Sequence, residues 1–257
     1  MYLAIDIGGT KTLIALFSRH GRILKRCIFK TSKNARIFLS ELTDNLTSFQ
    51  KFKVKSVVVA IPGLVQKNYS VKFGNRNWPN IDIFTPINSL FSCPIYFEND
   101  ANLAALYESF RLPGRTIFLT FSTGIGGGIA ENNRILPESN SFEPGHQIYT
   151  YNGVAKEWED IASANAIESA YHIDRATDLR KKPALQDVAN RIYLGLPDIV
   201  KTYAPDTIIL GGPMGKIFKL YSKYLPSDLS VKIRRPRRPN ESVTYGCLIY
   251  AKQKERQ

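Results

Sequence analysis

Cysteine is scarce and scattered: Cys27, Cys93 and Cys247 are the only three, and no Cys-x-x-Cys pair occurs. An odd, dispersed set speaks against a disulfide framework and against a cysteine zinc site, and it fits a reducing compartment. No apolar run approaches the ~20 residues that a bilayer span requires, so no membrane association is expected. A basic leader with an apolar stretch and a cleavage site is also missing from the first residues. The expected location is therefore the cytoplasm. The Gly-x-x-x-x-Gly-Lys pattern of phosphate loops does not occur either. Acidic charge is in deficit, with 22 Asp and Glu against 35 Lys and Arg, leaving a net charge of +13.

That excess concentrates in Arg19–Arg36 and Lys232–Arg238. A basic cluster can bind nucleic acid or simply form a solvated surface that attracts anionic nucleotides. Pro236 and Pro239 put the second cluster in a loop. No specific nucleic-acid partner is expected. With 257 residues, 44% of them hydrophobic, the chain can bury a substantial core as one large domain or two lobes.

The chain is organised around Tyr2–Phe17. Two apolar runs, Tyr2–Ile5 and Leu13–Phe17, flank Asp6, the pair Gly8-Gly9 and the polar Thr10-Lys11-Thr12. This reads as a hairpin whose glycines admit a close backbone approach. Its tip offers hydroxyls, a cation and a carboxylate suited to a magnesium ion, directly or through water. An ordinary polar hairpin tip reads the same way. Further on, Arg22–Lys30 reads as a third strand, Ile37–Phe49 as a helix, and the β-branched Val54–Ile61 as a buried parallel strand ending at Pro62-Gly63. Ile95–Phe97 is a strand, followed by a helix to about Phe110.

Pro113-Gly114 marks a candidate boundary, giving lobes over 1–110 and 111–241, with a final helix over 242–257 rejoining the first. In the second lobe, Thr116–Phe121 and Thr207–Leu210 read as strands, and Ser122–Gly128 as a second glycine turn before Ile129. Ile135–Ser141 reads as loop, and Glu157–Ala170 and Asp187–Tyr203 as one helix each.

Four glycines among Gly124–Gly128, beside Thr123, supply backbone donors with little bulk, as a polyphosphate requires. Gly211-Gly212 forms a third close-approach point. Asp100, between a strand and a helix in Glu98-Asn99-Asp100, is held ionised by the helix dipole and can accept a hydroxyl proton. Helix capping is its plainer alternative. Glu143-Pro144-Gly145-His146 joins a carboxylate to one of only three histidines, and Glu159 follows on the next helix.

Together these segments resemble the ROK family (repressors, open reading frames and sugar kinases) of the actin-like ATPase superfamily. Asp6–Thr12 and Thr123–Gly128 resemble its two phosphate motifs. Pro62-Gly63 and the Asn-x-x-Trp at Asn75–Trp78 resemble its sugar-side loops, and Glu98–Asn102 its catalytic segment. Glu143-x-Gly-His146 and Ile208–Gly212 resemble its sugar-contacting loop and adenosine motif.

The resemblance implies an α/β, two-lobed actin-like (ribonuclease H-like) fold with a central cleft for ATP and sugar. It implies an ATP- and Mg2+-dependent kinase acting on the 6-hydroxyl of a hexose, glucose first, with an N-acetylhexosamine or fructose as alternatives. Asp100 would be the base. Gly63, Asn75, Asn99, Asp100, Glu143, His146 and Glu159 would meet the sugar. Asp6, Gly8, Gly9, Thr10, Lys11, Thr12, Thr123, Gly124, Gly126, Gly127, Gly211 and Gly212 would serve the nucleotide and its metal. The family's cysteine cluster is missing from Gln147–Glu159, so no zinc site is expected. The stretch from Ile167 to Ala204 is shorter than the family usually has, which leaves oligomeric state open, a homodimer included. Two rivals are a sugar-sensing repressor, disfavoured because the first motif begins at Asp6, and a non-catalytic sugar- or nucleotide-binding protein.

Overall fold

The first hairpin forms as its pattern requires. β1 (Tyr2–Ile7) and β2 (Lys11–Phe17) pair antiparallel from Tyr2 opposite Phe17 to Ile7 opposite Thr12. β3 (Ile23–Lys30) extends the sheet from β2. The structure is a computed structural model that describes residues 1–65, 70–73, 78 and 81–256.

α1 (Ala35–Thr47) starts where the Asn34 side chain accepts from the N–H groups of Arg36 and Ile37, and it buries Phe38, Leu42 and Leu46. β4 (Ser56–Ile61) is buried at every position and runs parallel to β1, as a continuous β-branched run should. β5 (Gly63–Val65), β6 (Ser70–Phe73) and β7 (Ile81–Asp82) make a small separate sheet. After α2 (Phe84–Leu90), β8 (Ile95–Asn99) joins β4 in parallel and leads straight into α3 (Asp100–Ser109). The main sheet is ordered β3-β2-β1-β4-β8.

Alternation along β1 supplies both of its faces. Leu3, Ile5 and Ile7 pack with the α1 side chains, while Tyr2 and Ala4 pack with Cys247, Leu248 and Ala251 of the C-terminal helix Ser242–Lys254. That helix touches α3 backbone to backbone, because a Cβ on Gly246 would collide with the Leu103 carbonyl. One compact unit thus comprises Met1–Tyr107 with Val243–Gln257, and the other Glu108–Ser242.

In the second unit β9 (Arg115–Phe121) pairs antiparallel with β10 (Ile125–Glu131), so the glycine turn is shorter than its sequence suggests. It spans only Ser122–Gly124, and Gly126, Gly127 and Gly128 lie inside a strand. The reason is packing: a Cβ on Gly127 would run into the Phe142 ring. β11 (Arg134–Ile135) and two 3-10 turns, Pro137–Ser141 and Pro144–His146, follow where a loop was expected.

Next come the hairpin of β12 (Ile148–Tyr151) and β13 (Val154–Glu157), then α4 (Trp158–Ala162) and α5 (Ala164–Tyr171). α6 (Lys182–Tyr193) and α7 (Leu196–Tyr203) precede β14 (Thr207–Gly211), α8 (Gly212–Lys216), α9 (Phe218–Tyr221) and β15 (Lys232–Arg234). The sheet order is β11-β10-β9-β14-β15.

Both helices read as continuous are broken. Ser163 turns extended and caps α5 by accepting from Ala166 N–H. Gly195 separates α6 from α7 because the Trp158 indole lies 2.6 Å from where its Cβ would stand. Trp158 is fully buried, edge-on to Phe121 at 5.4 Å, and its Nε1 donates to the Arg191 carbonyl at 3.0 Å. No helix among the described residues is long and apolar enough to cross a membrane.

Candidate functional site

In the first unit the parallel strands β1, β4 and β8 bring their C-terminal ends together, the end at which open α/β sheets bind ligands. Asp6 on β1 pairs with Ala60 on β4, and Ile61 pairs with Asn99 on β8. Asp6, Gly63 and Asp100 therefore lie at or just beyond the same, C-terminal end of these strands.

The turn between β1 and β2 is held from behind. Gly8 N–H donates to the Lys11 carbonyl at 3.0 Å, and Thr31 Oγ1 donates to the Gly8 carbonyl at 2.9 Å. Thr31 N–H donates to the Thr10 carbonyl at 3.0 Å. The outer surface is left to Gly9, Thr10 and Lys11, all exposed, and a Cβ on Gly9 would meet nothing within 4 Å. Thr12 departs from expectation. It is fully buried, with Oγ1 2.9 Å from Thr31 Oγ1, and so supports the turn from inside. Thr31 itself carried no sequence signal, because only the β2–β3 register brings it there.

At the start of α3 the cap is Asn99 rather than Asp100. Asn99 Oδ1 accepts from the N–H groups of Ala101 at 2.8 Å and Asn102 at 3.2 Å. Asp100 Oδ1 accepts from Ala101 N–H at 2.7 Å. Glu98 braces the segment, its Oε1 accepting from Asn99 N–H and Asn102 Nδ2, both at 2.9 Å. Asn75 lies outside the described residues. Trp78 is buried, stacks on Phe38 at 4.9 Å and donates from Nε1 to the Lys33 carbonyl at 2.6 Å, so it serves the core.

Burial pushes the Asp6 carboxyl up to about 7, the Asp100 charge pushes the same way, and Lys11 opposes both. The folded chain therefore holds this proton more tightly than the unfolded chain does. Ionising Asp6 costs stability, with no penalty below about pH 4 and the full penalty above about pH 7. Asp6→Asn should consequently stabilise the metal-free protein by roughly 1–3 kcal/mol at pH 8. The gain should fade as pH falls toward 4. Thermal melts in a chelator across that range test it, and a pH-independent difference would refute it.

In the second unit β9 and β14 run parallel, so the Ser122–Gly124 turn and Gly211-Gly212 leave the sheet at the same end. Gly212, at φ +68°, sits where a Cβ would strike the Phe121 carbonyl, and Gly211 packs on the Phe118 ring. Ser122 N–H donates to the Gly124 carbonyl at 2.8 Å, and Thr123 is exposed. Gly126 is half-buried. Gly127 is buried against Phe142, which gives it a packing role where a ligand contact was expected.

Glu159 on α4 reaches this turn: its Oε2 accepts from Ile125 N–H at 3.1 Å. Gly124 and Gly145 leave the room it occupies, since a Cβ on Gly145 would stand 2.8 Å from Glu159 Oε2. Glu143 and His146 are exposed at the ends of the short Pro144–His146 turn. His146 Nδ1 lies 3.0 Å from Glu157 Oε2. That hydrogen bond raises the imidazole pKa, burial opposes it, and the charges of Glu159, Glu157 and Glu143 add to it.

His146, Glu157 and Glu159 form a cluster whose ligand atoms lie within 4.8 Å of one another. The absence of cysteine had suggested no such grouping here. Glu157 is the member that sequence reasoning missed. Its signal was present in Asn152-Gly153, both at positive φ, between the alternating runs Ile148–Tyr151 and Val154–Glu157.

With that geometry in hand, a family model described as "ROK family" matches residues 2–245. The chain belongs to the ROK family. Among ROK relatives, it is 28% identical over 201 residues to the xylose repressor of Bacillus spizizenii, covering 68% of this chain and 52% of the repressor. The chain thus spans about half the length of that relative. It is 26% identical over 284 residues to a fructokinase of Lactococcus lactis subsp. cremoris, covering 97% and 96% of the two chains. A ROK family glucokinase from Streptomyces griseus, solved with glucose and AMPPNP, superposes with a TM-score of 0.77 at 19% identity, covering 98% of this chain and 99% of that one. The fold is therefore the two-lobed actin-like one.

Proposed function

We propose that this chain is an ATP-dependent sugar kinase that phosphorylates the 6-hydroxyl of a hexose, with glucose as the leading substrate. The observation that carries the reading is the placement of Asp6 and Asp100 at the same C-terminal end of the sheet, beside a glycine turn whose outer face is open. The full-length match to a fructokinase and the fold match to a glucokinase support the same class.

Asp100 is the general base in this reading. The Ala101 N–H at the start of α3 orients it, and it takes the hydroxyl proton as the sugar oxygen attacks. Asp6 is a hard oxygen donor of the kind that holds a divalent cation, directly or through water, and the neighbouring Asp100 charge favours a cation there. Magnesium bound there would offset negative charge on the transferring phosphoryl group. Gly9, Thr10 and Lys11, with Thr123 and Gly124 of the second unit, are assigned to the phosphates. Gly63, Asn75, Asn99, Glu143, His146 and Glu159 are assigned to sugar hydroxyls.

The xylose repressor match favours a second reading, in which the chain binds a sugar without transferring phosphate. A panel of hexoses in a coupled ADP-release assay with magnesium separates the two. The kinase reading expects ADP release that depends on one or a few hexoses. Sugar binding with no sugar-dependent ADP release would favour the repressor-like reading.

A further inference from the structure

We infer that Glu157 is a positioning residue for His146, fixing its ring so that Nε2 is the atom offered to the sugar. The inference rests on the kinase reading for its ligand but on geometry for its mechanism. The β12–β13 register sets Glu157 opposite Ile148, two residues beyond His146. Trp158 N–H then donates to the Gln147 carbonyl at 2.8 Å, and the Trp158 side chain is fully buried. The backbone on both sides of the contact is thereby fixed.

Glu157 occupies the N-cap position of α4, yet its side chain makes no capping hydrogen bond. Its Oε2 faces His146 Nδ1 at 3.0 Å instead. A carboxylate accepts only, so the shared proton resides on Nδ1, and the hydrogen bond at one ring nitrogen decides the character of the other. In the neutral ring Nε2 then carries a lone pair and accepts from a hydroxyl. Among the described residues, Nε2 has no protein partner. Glu159 lies within the same cluster, with Oε2 engaged by Ile125 N–H and Oε1 without a protein partner among the described residues. Two acceptors within one side-chain cluster suit a ligand presenting more than one hydroxyl donor.

Two variants test the assignment. Glu157→Ala removes the acceptor, whereas Glu157→Gln keeps a neutral one for the Nδ1 proton. Long-range 1H–15N spectra at alkaline pH, assigned with a His146→Gln control, should show Nδ1–H in the parent and Glu157→Gln, and Nε2–H in Glu157→Ala. Losing one charge-assisted hydrogen bond is worth roughly a tenfold effect. KM for the phosphorylated sugar should accordingly rise about tenfold in Glu157→Ala, with kcat and the KM for ATP within about threefold, and Glu157→Gln should recover most of the loss. An Nε2–H tautomer in the parent, or one unchanged in Glu157→Ala, would overturn the inference. Equal KM losses in both variants would overturn it too. The spectra need no turnover, so if no hexose is phosphorylated the kinase reading falls while the tautomer still decides the role of Glu157.

Discussion

Asp100→Asn should lower kcat for sugar phosphorylation by roughly 10²–10⁴-fold, the usual cost of removing a general base. The amide keeps the shape and one hydrogen-bonding oxygen, so Ala101 N–H retains an acceptor. Asn99 still caps the helix, and the fold should be untouched. What disappears is the capacity to take up the hydroxyl proton. ATP affinity should change little, because the assigned phosphate contacts lie in the glycine turns. Sugar affinity should weaken modestly, as a charge-assisted hydrogen bond becomes a neutral one. Steady-state kinetics with circular dichroism as a folding control measure this. Turnover within a few-fold of the parent would reduce Asp100 to the first residue of a helix that another side chain caps.

Glu108→Ala should produce the largest loss of stability. The Glu108 side chain is 1% exposed, and its carboxylate accepts from Ser242 Oγ at 2.7 Å, from Arg237 N–H at 3.1 and 3.2 Å, and from Arg237 Nε at 3.3 Å. Truncation leaves the Arg237 backbone N–H without its acceptor and takes one partner each from the Arg237 guanidinium and the Ser242 hydroxyl, which keeps the Arg238 carbonyl at 2.9 Å. Leaving a buried donor unsatisfied in this way costs about 1–3 kcal/mol. The Arg237 side chain is 38% exposed and can recover water, which favours the lower end of that range. Glu108→Gln keeps an acceptor for Ser242 and should lose less. Urea unfolding of the three proteins tests the ranking, and a loss below about 1 kcal/mol for Glu108→Ala would contradict it.

The same contact alters the meaning of the basic cluster at Lys232–Arg238. Arg237 pairs with Glu108, and Arg238 pairs with Glu241 at 2.9 Å. Part of the positive charge is therefore structural. Composition could not reveal this, because Glu108 lies 129 residues before its partner.

Strands with dense β-branched or alternating residues were legible, as β1, β2, β4, β9 and β14 illustrate. β10 was not, since its glycines carry no side chains to set a period and Gly127 owes its place to the Phe142 ring. The helix breaks at Ser163 and Gly195 were hidden because apolar spacing continues across them, while the bulk of Trp158 decides the second. At the candidate site, motifs picked out Asp6, Asp100, Glu143, His146 and Glu159 one by one. The residues that hold them, Thr31 behind the first turn and Glu157 beside His146, depend on strand register. Only the Asn152-Gly153 hairpin signal would have exposed Glu157 in advance.

The most direct test of the central claim is to follow the protein with magnesium, ATP and each hexose of the panel by 31P NMR. The account predicts a hexose 6-phosphate resonance that rises one for one with ADP, for glucose or a close relative of it. Inorganic phosphate in place of a sugar phosphate, or no transfer to any hexose under conditions where a sugar binds, would contradict it.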